Sequence, residues 1–253
     1  MLILDGFSKS YKDTAAVERL SFEVKPGEVL ALVGPNGAGK TTTMRSIAGI
    51  IPPSAGHITV AGFDIVKQPV QAKGRLAYVP DDPKLFDALT VDEHLEFAAT
   101  AYGVSDYKPK AEALLARFEL AEHRRKPAIE LSRGMRQKVA ICCAYLHDPT
   151  LVMLDEPLTG LDPRGIRTMK ETIVERARAG AAVIVSSHLL QLVEGLCTNL
   201  LILHKGKRVF FGNIAEARET FAGAGGDDSL EEVFFRATEE TKPPSTPAAD
   251  GVA

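Results

Sequence analysis

Three clusters of residues have the types and spacing to do chemistry. The first, Gly34-Pro35-Asn36-Gly37-Ala38-Gly39-Lys40-Thr41, fits the phosphate-loop pattern GxxxxGK[ST] in full. At this composition about 0.01 chance matches are expected, so the match is informative. Glycines let backbone N–H groups converge on phosphates, and a helix starting there directs its positive end at them. Gly34, Asn36, Gly37, Ala38, Gly39, Lys40, Thr41 and Thr42 are therefore candidate contacts for a nucleoside triphosphate. Lys40 would reach the β- and γ-phosphates, and the Thr41 hydroxyl would ligate Mg²⁺. The second cluster, Leu151-Val152-Met153-Leu154-Asp155-Glu156, is an apolar strand delivering two carboxylates. The carboxyl end of a strand is where open α/β sheets place ligand chemistry. Asp155 is expected to hold Mg²⁺ through water and Glu156 to orient and deprotonate an attacking water. Alone this cluster is also what a strand followed by a polar loop looks like; with the first it implies Mg-dependent triphosphate hydrolysis. The third cluster, Leu131-Ser132-Arg133-Gly134-Met135, begins a helix about twenty residues before Asp155.

The elements that must carry these groups can be read from pattern. Ser21 to Val24 alternates as a strand, and Glu28 to Val33 is a strand-length apolar run ending at Gly34. A helix is predicted from Lys40 to Ala48, with further strands at His57 to Val60 and Leu76 to Val79. From Thr90 to His147 the signals are helical. Thr90 and Glu93 form a capping box, Gly103 ends that helix, Lys110 to Phe118 has one apolar face, and another helix spans Arg133 to Leu146. Strands then return at Leu151–Leu154, Ala182–Ser186, Leu200–Leu203 and Arg208–Phe211, with a helix starting at Asp162-Pro163 and a last capping box at Ser229–Glu232. Strand–helix alternation predicts an α/β fold on a parallel core sheet.

Composition sets the boundaries of function. The 253 residues are 45% hydrophobic and 25% charged, at the averages of globular proteins, and the formal net charge is -3. No basic excess or stripe points to a nucleic acid as partner. Cys142, Cys143 and Cys197 provide neither a disulfide framework nor a CxxC pair, and the neighbours Cys142 and Cys143 read as core thiols of a reduced, cytosolic protein. Apolar runs are strand-sized, short of the ~20 residues of a membrane-spanning helix, and the N-terminus lacks a signal-peptide pattern. Pro243, Pro244 and Pro247 lie in a final stretch almost without large apolar residues. Residues 238–253 are expected to be a disordered tail, leaving one domain over 1–237.

Together the motifs resemble ATP-binding cassette (ABC) proteins. LSRGMRQ is similar to that family's LSGGQ signature, and the order across residues 2–238 agrees: aromatic residue, phosphate loop, helical lobe, signature, Asp-Glu, Gly160-Leu161-Asp162, then His188. The resemblance implies a P-loop NTPase fold with a parallel core sheet, an N-terminal antiparallel β subdomain and an inserted helical lobe at about 85–147. It implies that Tyr11 stacks on adenine with Val17 packed beside it, and that Ser132 and Gly134 contact the γ-phosphate of ATP on an opposing subunit. It also implies that Asp162 lines the dimer interface in a D-loop and that His188 contacts the γ-phosphate. Ser132 also reads as an ordinary N-cap, and Asp162 as an ordinary helix start. The implied catalytic groups are Glu156, His188 and Lys40, with ATP and Mg²⁺ as cofactors.

Two departures from the family pattern stand out. After the strand Leu76–Val79 the family usually has Gln in its Q-loop, whereas this chain has Asp81-Asp82, either of which can take that place; Asp81 could reach Mg²⁺ through water. In the signature, Arg133 replaces a Gly and Met135 a Gln. Both features, with the ending Ser229-Leu-Glu-Glu-Val-Phe-Phe-Arg, resemble cassettes serving ABC-2-type permeases. The implied function is the ATP-binding subunit of an exporter. It would pair with a second ATP-binding subunit, homo- or heterodimeric, and lie on the inner face of the cell membrane through a separate permease subunit. A translation or repair ATPase of this family would carry two cassettes or long coiled coils; this chain shows one cassette and no sustained heptads. A non-enzymatic nucleotide switch would not need Lys40, Asp155, Glu156 and His188 together.

Overall fold

The computed structural model describes residues 1–187, 190, 194–221 and 229–239. His188 and the Pro-rich stretch 240–253 lie outside the described residues, so the expectations placed on them stay expectations.

Two sheets form. The first is antiparallel, in the order β2-β1-β4-β5, from β1 (Leu2–Tyr11), β2 (Thr14–Val24), β4 (Ala55–Val60) and β5 (Phe63–Asp64). The second has the order β10-β9-β3-β8-β7-β6, from β10 (Lys207–Asn213), β9 (Asn199–His204), β3 (Val29–Val33), β8 (Ala182–Ser186), β7 (Leu151–Asp155) and β6 (Leu76–Val79). Pairing is parallel from β9 through β6, and β10 alone runs antiparallel. This is the P-loop α/β fold with its antiparallel β layer that the sequence implied.

The second sheet is covered on both faces, which explains its unbroken apolar strands. Alternate residues go opposite ways. Val152, Leu154, Val183, Val185, Ala31 and Val33 enter a core with α3 (Val91–Tyr102), α4 (Lys108–Arg117), α5 (Arg133–Tyr145) and α6 (Pro163–Arg178). Leu151, Met153, Ile184, Leu30 and Leu32 enter a second core with Met44 and Ile47 of α1 (Lys40–Ile47) and with Leu2, Leu4, Phe7 and Leu20 of the antiparallel sheet. The segment between β6 and β7 is helical, and α3 carries its capping box: the Thr90 side chain accepts from Glu93 N–H, and Glu93 reaches back to Thr90.

Several elements are longer than pattern suggested, or were not foreseen. β1 as a whole, the short β5, α2 (Pro69–Lys73) and the helix Ile214–Thr220 have no counterpart among the elements expected from pattern. The last helix runs Leu230–Glu239, so Thr238 is helical rather than part of a tail. β6, β7, β8 and β3 all end at one edge of their sheet, and that edge receives Asp81, Asp155, Ser186 and the phosphate loop.

Candidate functional site

The phosphate loop follows β3 directly. Its Gly34 is buried, Pro35 to Gly37 are exposed, and α1 begins at Lys40. Gly39 caps that helix at φ +104°, a left-handed conformation that L side chains rarely adopt. A Cβ there would also lie 2.8 Å from the Ala16 carbonyl oxygen and 2.9 Å from Val17 Cγ2. Glycine is therefore needed twice over. The loop is clipped from outside: Gly206 N–H, in the β9–β10 turn, donates to the Ala38 carbonyl at 3.1 Å, and Glu18 N–H donates to the Gly206 carbonyl at 2.8 Å. The Lys40 ammonium lies within the curl, donating to the carbonyls of Gly34 at 2.6 Å and Pro35 at 3.4 Å. Burial lowers its pKa, and the charges of Glu156 and Asp155 push it back up. That coupling brings the first two sequence clusters into one electrostatic neighbourhood.

Asp155 ends β7, paired in register with Ser186 of β8. Its carboxylate is buried and accepts from the Ser186 hydroxyl and, at 3.3 Å, from the Tyr78 hydroxyl of β6. Burial first, and then the Asp155 charge, raise the Tyr78 pKa, so the phenol stays protonated and donates. Glu156 has φ +50°, uncommon for a residue with a side chain. Its N–H donates to the Ser186 carbonyl at 3.1 Å and to the Ser186 hydroxyl at 3.2 Å. One fully buried serine thus holds the first carboxylate and turns the second out of the strand. Thr41 is exposed beside this edge. A hydroxyl and a carboxylate are the hard oxygen donors that Mg²⁺ takes, and Mg²⁺ is usually held by one or two carboxylates with substrate phosphates and water completing its shell. The residues present fit that ion. Among the described residues no cluster of three His, Cys, Asp or Glu could hold a metal by itself.

The third cluster is built around the start of α5. Ser132 is its N-cap, its hydroxyl accepting from Met135 N–H at 3.2 Å. Gly134 lies against the loop after β7: a Cβ there would be 2.7 Å from the Gly160 carbonyl oxygen. Asp162 caps α6, accepting from Gly165 N–H at 3.3 Å, and pairs with Lys138 of α5 at 3.4 Å. Asp81 departs from expectation. Its carboxylate accepts from the Arg133 guanidinium at 2.7 Å, so it is engaged by this arginine rather than left open to a metal. Asp82 pairs instead with Lys84.

Tyr11 sits at the end of β1, exposed, with Lys9 Nζ 5.3 Å from its ring centroid. Val17 requires a correction. It is fully buried in the core beneath Gly39, and its strand neighbour Ala16 faces out. Ala16 lines a cavity of about 310 Å³ with Asn36 through Thr42. The inward–outward alternation of β2 decides this, and the placement of Val17 beside a base missed it by one residue. A second cavity of about 340 Å³, lined by Gly34, Pro35, Asn36, Ser187, Leu190 and Phe234, adjoins the other side of the loop. Ser186, Tyr78 and Ala16 were all missed from sequence. Only Ser186, closing an apolar strand beside the acidic one, carried a readable hint.

The chain was compared with known proteins. A family model described as "ABC transporter" matches residues 17–159. The "ABC-type transporter ATP-binding protein EcsA" of Bacillus subtilis (strain 168) is 34% identical over 242 residues, covering 95% of this chain and 97% of that protein. A solved structure described as "Structure of ATP binding subunit of ABC transporter" superposes with a TM-score of 0.89 at 36% identity, over 94% of this chain and 99% of the other. The structure of cbiO1 from Clostridium perfringens, described as part of the ABC transporter complex cbiONQ, gives a TM-score of 0.73 at 29% identity, over 87% and 90% of the two chains.

Proposed function

Because this chain belongs to the ABC transporter family, as a nucleotide-binding domain of the ABC-2 type, we propose that it closes head to tail with a second ATP-binding subunit around two Mg-ATP molecules and so drives export through a separate membrane permease. ATP binding and ATP hydrolysis coupled to transport come with the family. The dimer, the permease, the direction and the residue roles are the proposal.

The observation that carries it is the convergence of Lys40, Asp155 and Glu156 at one sheet edge, while the Ser132–Gly134 turn lines neither cavity beside the phosphate loop. Each half-site then needs the complementary half of another copy. In this reading the Lys40 ammonium and the loop N–H groups bind the β- and γ-phosphates. Tyr11 stacks on the base, with Ala16 beneath the nucleotide. Thr41, and Asp155 through water, would hold Mg²⁺, which would supply charge to offset that developing on the transferred phosphoryl group. Glu156, turned out of its strand, takes the proton of the attacking water. Ser132 and Gly134 of the second copy close over the γ-phosphate, with Asp162 at the interface and His188 as a further γ-phosphate contact.

A permease contact is supported by a groove of about 320 Å³ between β6 and the helical segment, where Phe86, Phe97 and Tyr102 are exposed. Exposed aromatic residues in a concave patch mark interaction surfaces. Among the described residues no helix is long and apolar enough to cross a membrane, so the chain would reach one through this partner. The cbiO1 neighbour, part of a multi-component transporter complex, supports the same reading.

Glu156→Gln tests the proposal. ATP should still bind, turnover should stop, and a dimer that forms only with ATP should accumulate in size-exclusion chromatography. Wild-type turnover in this variant removes Glu156 as the base, and a monomer at saturating ATP removes the clamp.

A further inference from the structure

The two departures from the family pattern meet in space. Asp81 follows β6, and Arg133 is the first residue after the Ser132 cap, 52 positions later. The Arg133 side chain bridges two loops. Its guanidinium reaches Asp81 at 2.7 Å. Its Cδ and Nε would lie 3.6 and 3.7 Å from a Cβ built on Gly160, so its stem runs over the loop after β7. Its charge also helps Lys84 keep the Asp82 carboxyl below the usual range.

Stability does not explain the pair. An arginine in the first turn of a helix opposes the macrodipole, where a cation is unfavourable by about 0.3–1 kcal/mol. Asp81 offsets that charge, but the two side chains are 47% and 48% exposed. Pairs this exposed contribute about 0–1 kcal/mol. What the pair does provide is geometry. It fixes the start of α5 against the loop after β6, while Gly134 meets the Gly160 carbonyl on the other side.

We infer that Asp81 and Arg133 are a compensated positioning pair for the ATPase reaction: the acid in one loop and the base at the signature replace a neutral Gln and Gly together, and hold Ser132 and Gly134 in register with the strand edge that carries Asp155 and Glu156. The inference rests on the reading above that Ser132 and Gly134 act on bound ATP. Neither residue of the pair is placed on the nucleotide, so their effect falls on the rate of the assembled site rather than on ATP affinity. Either change alone leaves one unpartnered charge beside a phosphate site. Both together restore neutrality.

The test is a cycle of four proteins: wild type, Asp81→Gln, Arg133→Gly, and the double variant. Each single change should lower kcat about five- to tenfold with KM for ATP within twofold. The double variant should recover to within about twofold of wild type. The coupling, a ratio of four rates, should shrink toward one in ~1 M salt, where the Debye length falls to about 3 Å. Single effects that multiply in the double variant overturn the pairing, as do effects confined to KM. Hydrogen exchange on the ATP-free chain supplies a readout independent of turnover. Asp81→Gln should speed exchange of the Met135 and Arg136 amides, which donate to Ser132 at the start of α5, and unchanged exchange there overturns the tether. Faster exchange with a multiplicative rate cycle leaves the contact real but rejects its role in the reaction. A wild-type protein that hydrolyses nothing while exchange responds to Asp81→Gln would instead reject the ATPase assignment of Ser132 and Gly134, and the positioning role with it.

Discussion

Ser186→Ala removes one oxygen atom and should disturb two carboxylates, those of Asp155 and Glu156. The Ser186 hydroxyl is fully buried, donates to Asp155, and accepts from Glu156 N–H at 3.2 Å. A hydrogen bond to a charged group contributes about 1.5–3 kcal/mol, and leaving its partner buried and unsatisfied costs on the same scale. The loss is bounded because Tyr78 still donates to Asp155 and the Ser186 carbonyl still accepts from Glu156 N–H at 3.1 Å. A loss of about 2 kcal/mol follows. For a chain of this size 1 kcal/mol shifts Tm by about 2–4 °C, so the expected fall is about 4–8 °C by calorimetry. Groups that orient a metal ligand typically matter about 10–100-fold for metal affinity or activity, so the Mg²⁺ concentration for half-maximal turnover should rise at least tenfold. Combining Ser186→Ala with Asp155→Asn should give less than the sum of the two stability losses, because both remove the same charged bond. A Tm within about 1 °C of wild type, with unchanged Mg²⁺ dependence, would refute the assignment of Ser186 as the group that holds the acidic edge.

Two further outcomes are expected. Gly39→Ala meets both a left-handed φ and a 2.8 Å backbone contact, so it should cost well over 1 kcal/mol and weaken ATP binding; a fluorescent-nucleotide titration indistinguishable from wild type would contradict the geometry. The Arg117 guanidinium holds the Glu175 carboxyl below its usual range, tying α4 to α6 with two bonds, at 2.5 and 2.7 Å. A depressed folded pKa means that this stabilisation is present above the unfolded value near 4.5 and is lost as pH falls through the folded one. Glu175→Gln should therefore flatten the acid limb of stability below about pH 4.5, and denaturant midpoints equally pH-dependent in both proteins would exclude the pair as a source of that limb.

The nucleotide half of the site was legible because its chemistry is local. Gly34 through Thr42 and Leu151 through Glu156 are contiguous, and their glycines, lysine and carboxylates have few other uses in that order. What was not legible depends on register and on distance along the chain. β1 hides its alternation behind irregularities: its pairing with β2 shifts between Leu4 and Phe7 and again before Ser10. Leu2 and Leu4 and then Phe7 point inward despite the odd spacing, because Gly6 at φ +58° takes up the extra residue. Val17 and Ala16 differ only in which face of β2 they occupy, and sequence does not state where a pleat begins. Tyr78 and Ser186 act on Asp155 from neighbouring strands, which requires knowing strand order. Asp81 and Arg133 read as two unrelated departures until the fold placed them 2.7 Å apart.

The clip on the phosphate loop has a consequence for how this chain tolerates change. The turn at Lys205–Gly206 joins two strands at the edge of the larger sheet, the sort of surface hairpin where insertions and tags are usually harmless. Here its Gly206 N–H holds Ala38 while its carbonyl is held by Glu18. A Cβ at that glycine would lie 2.7 Å from the Ala16 carbonyl oxygen. The outermost hairpin of one sheet is thus the keystone between the phosphate loop and the other sheet. An engineer choosing a splice point by peripheral position alone would cut the chain at a turn whose backbone holds the phosphate loop.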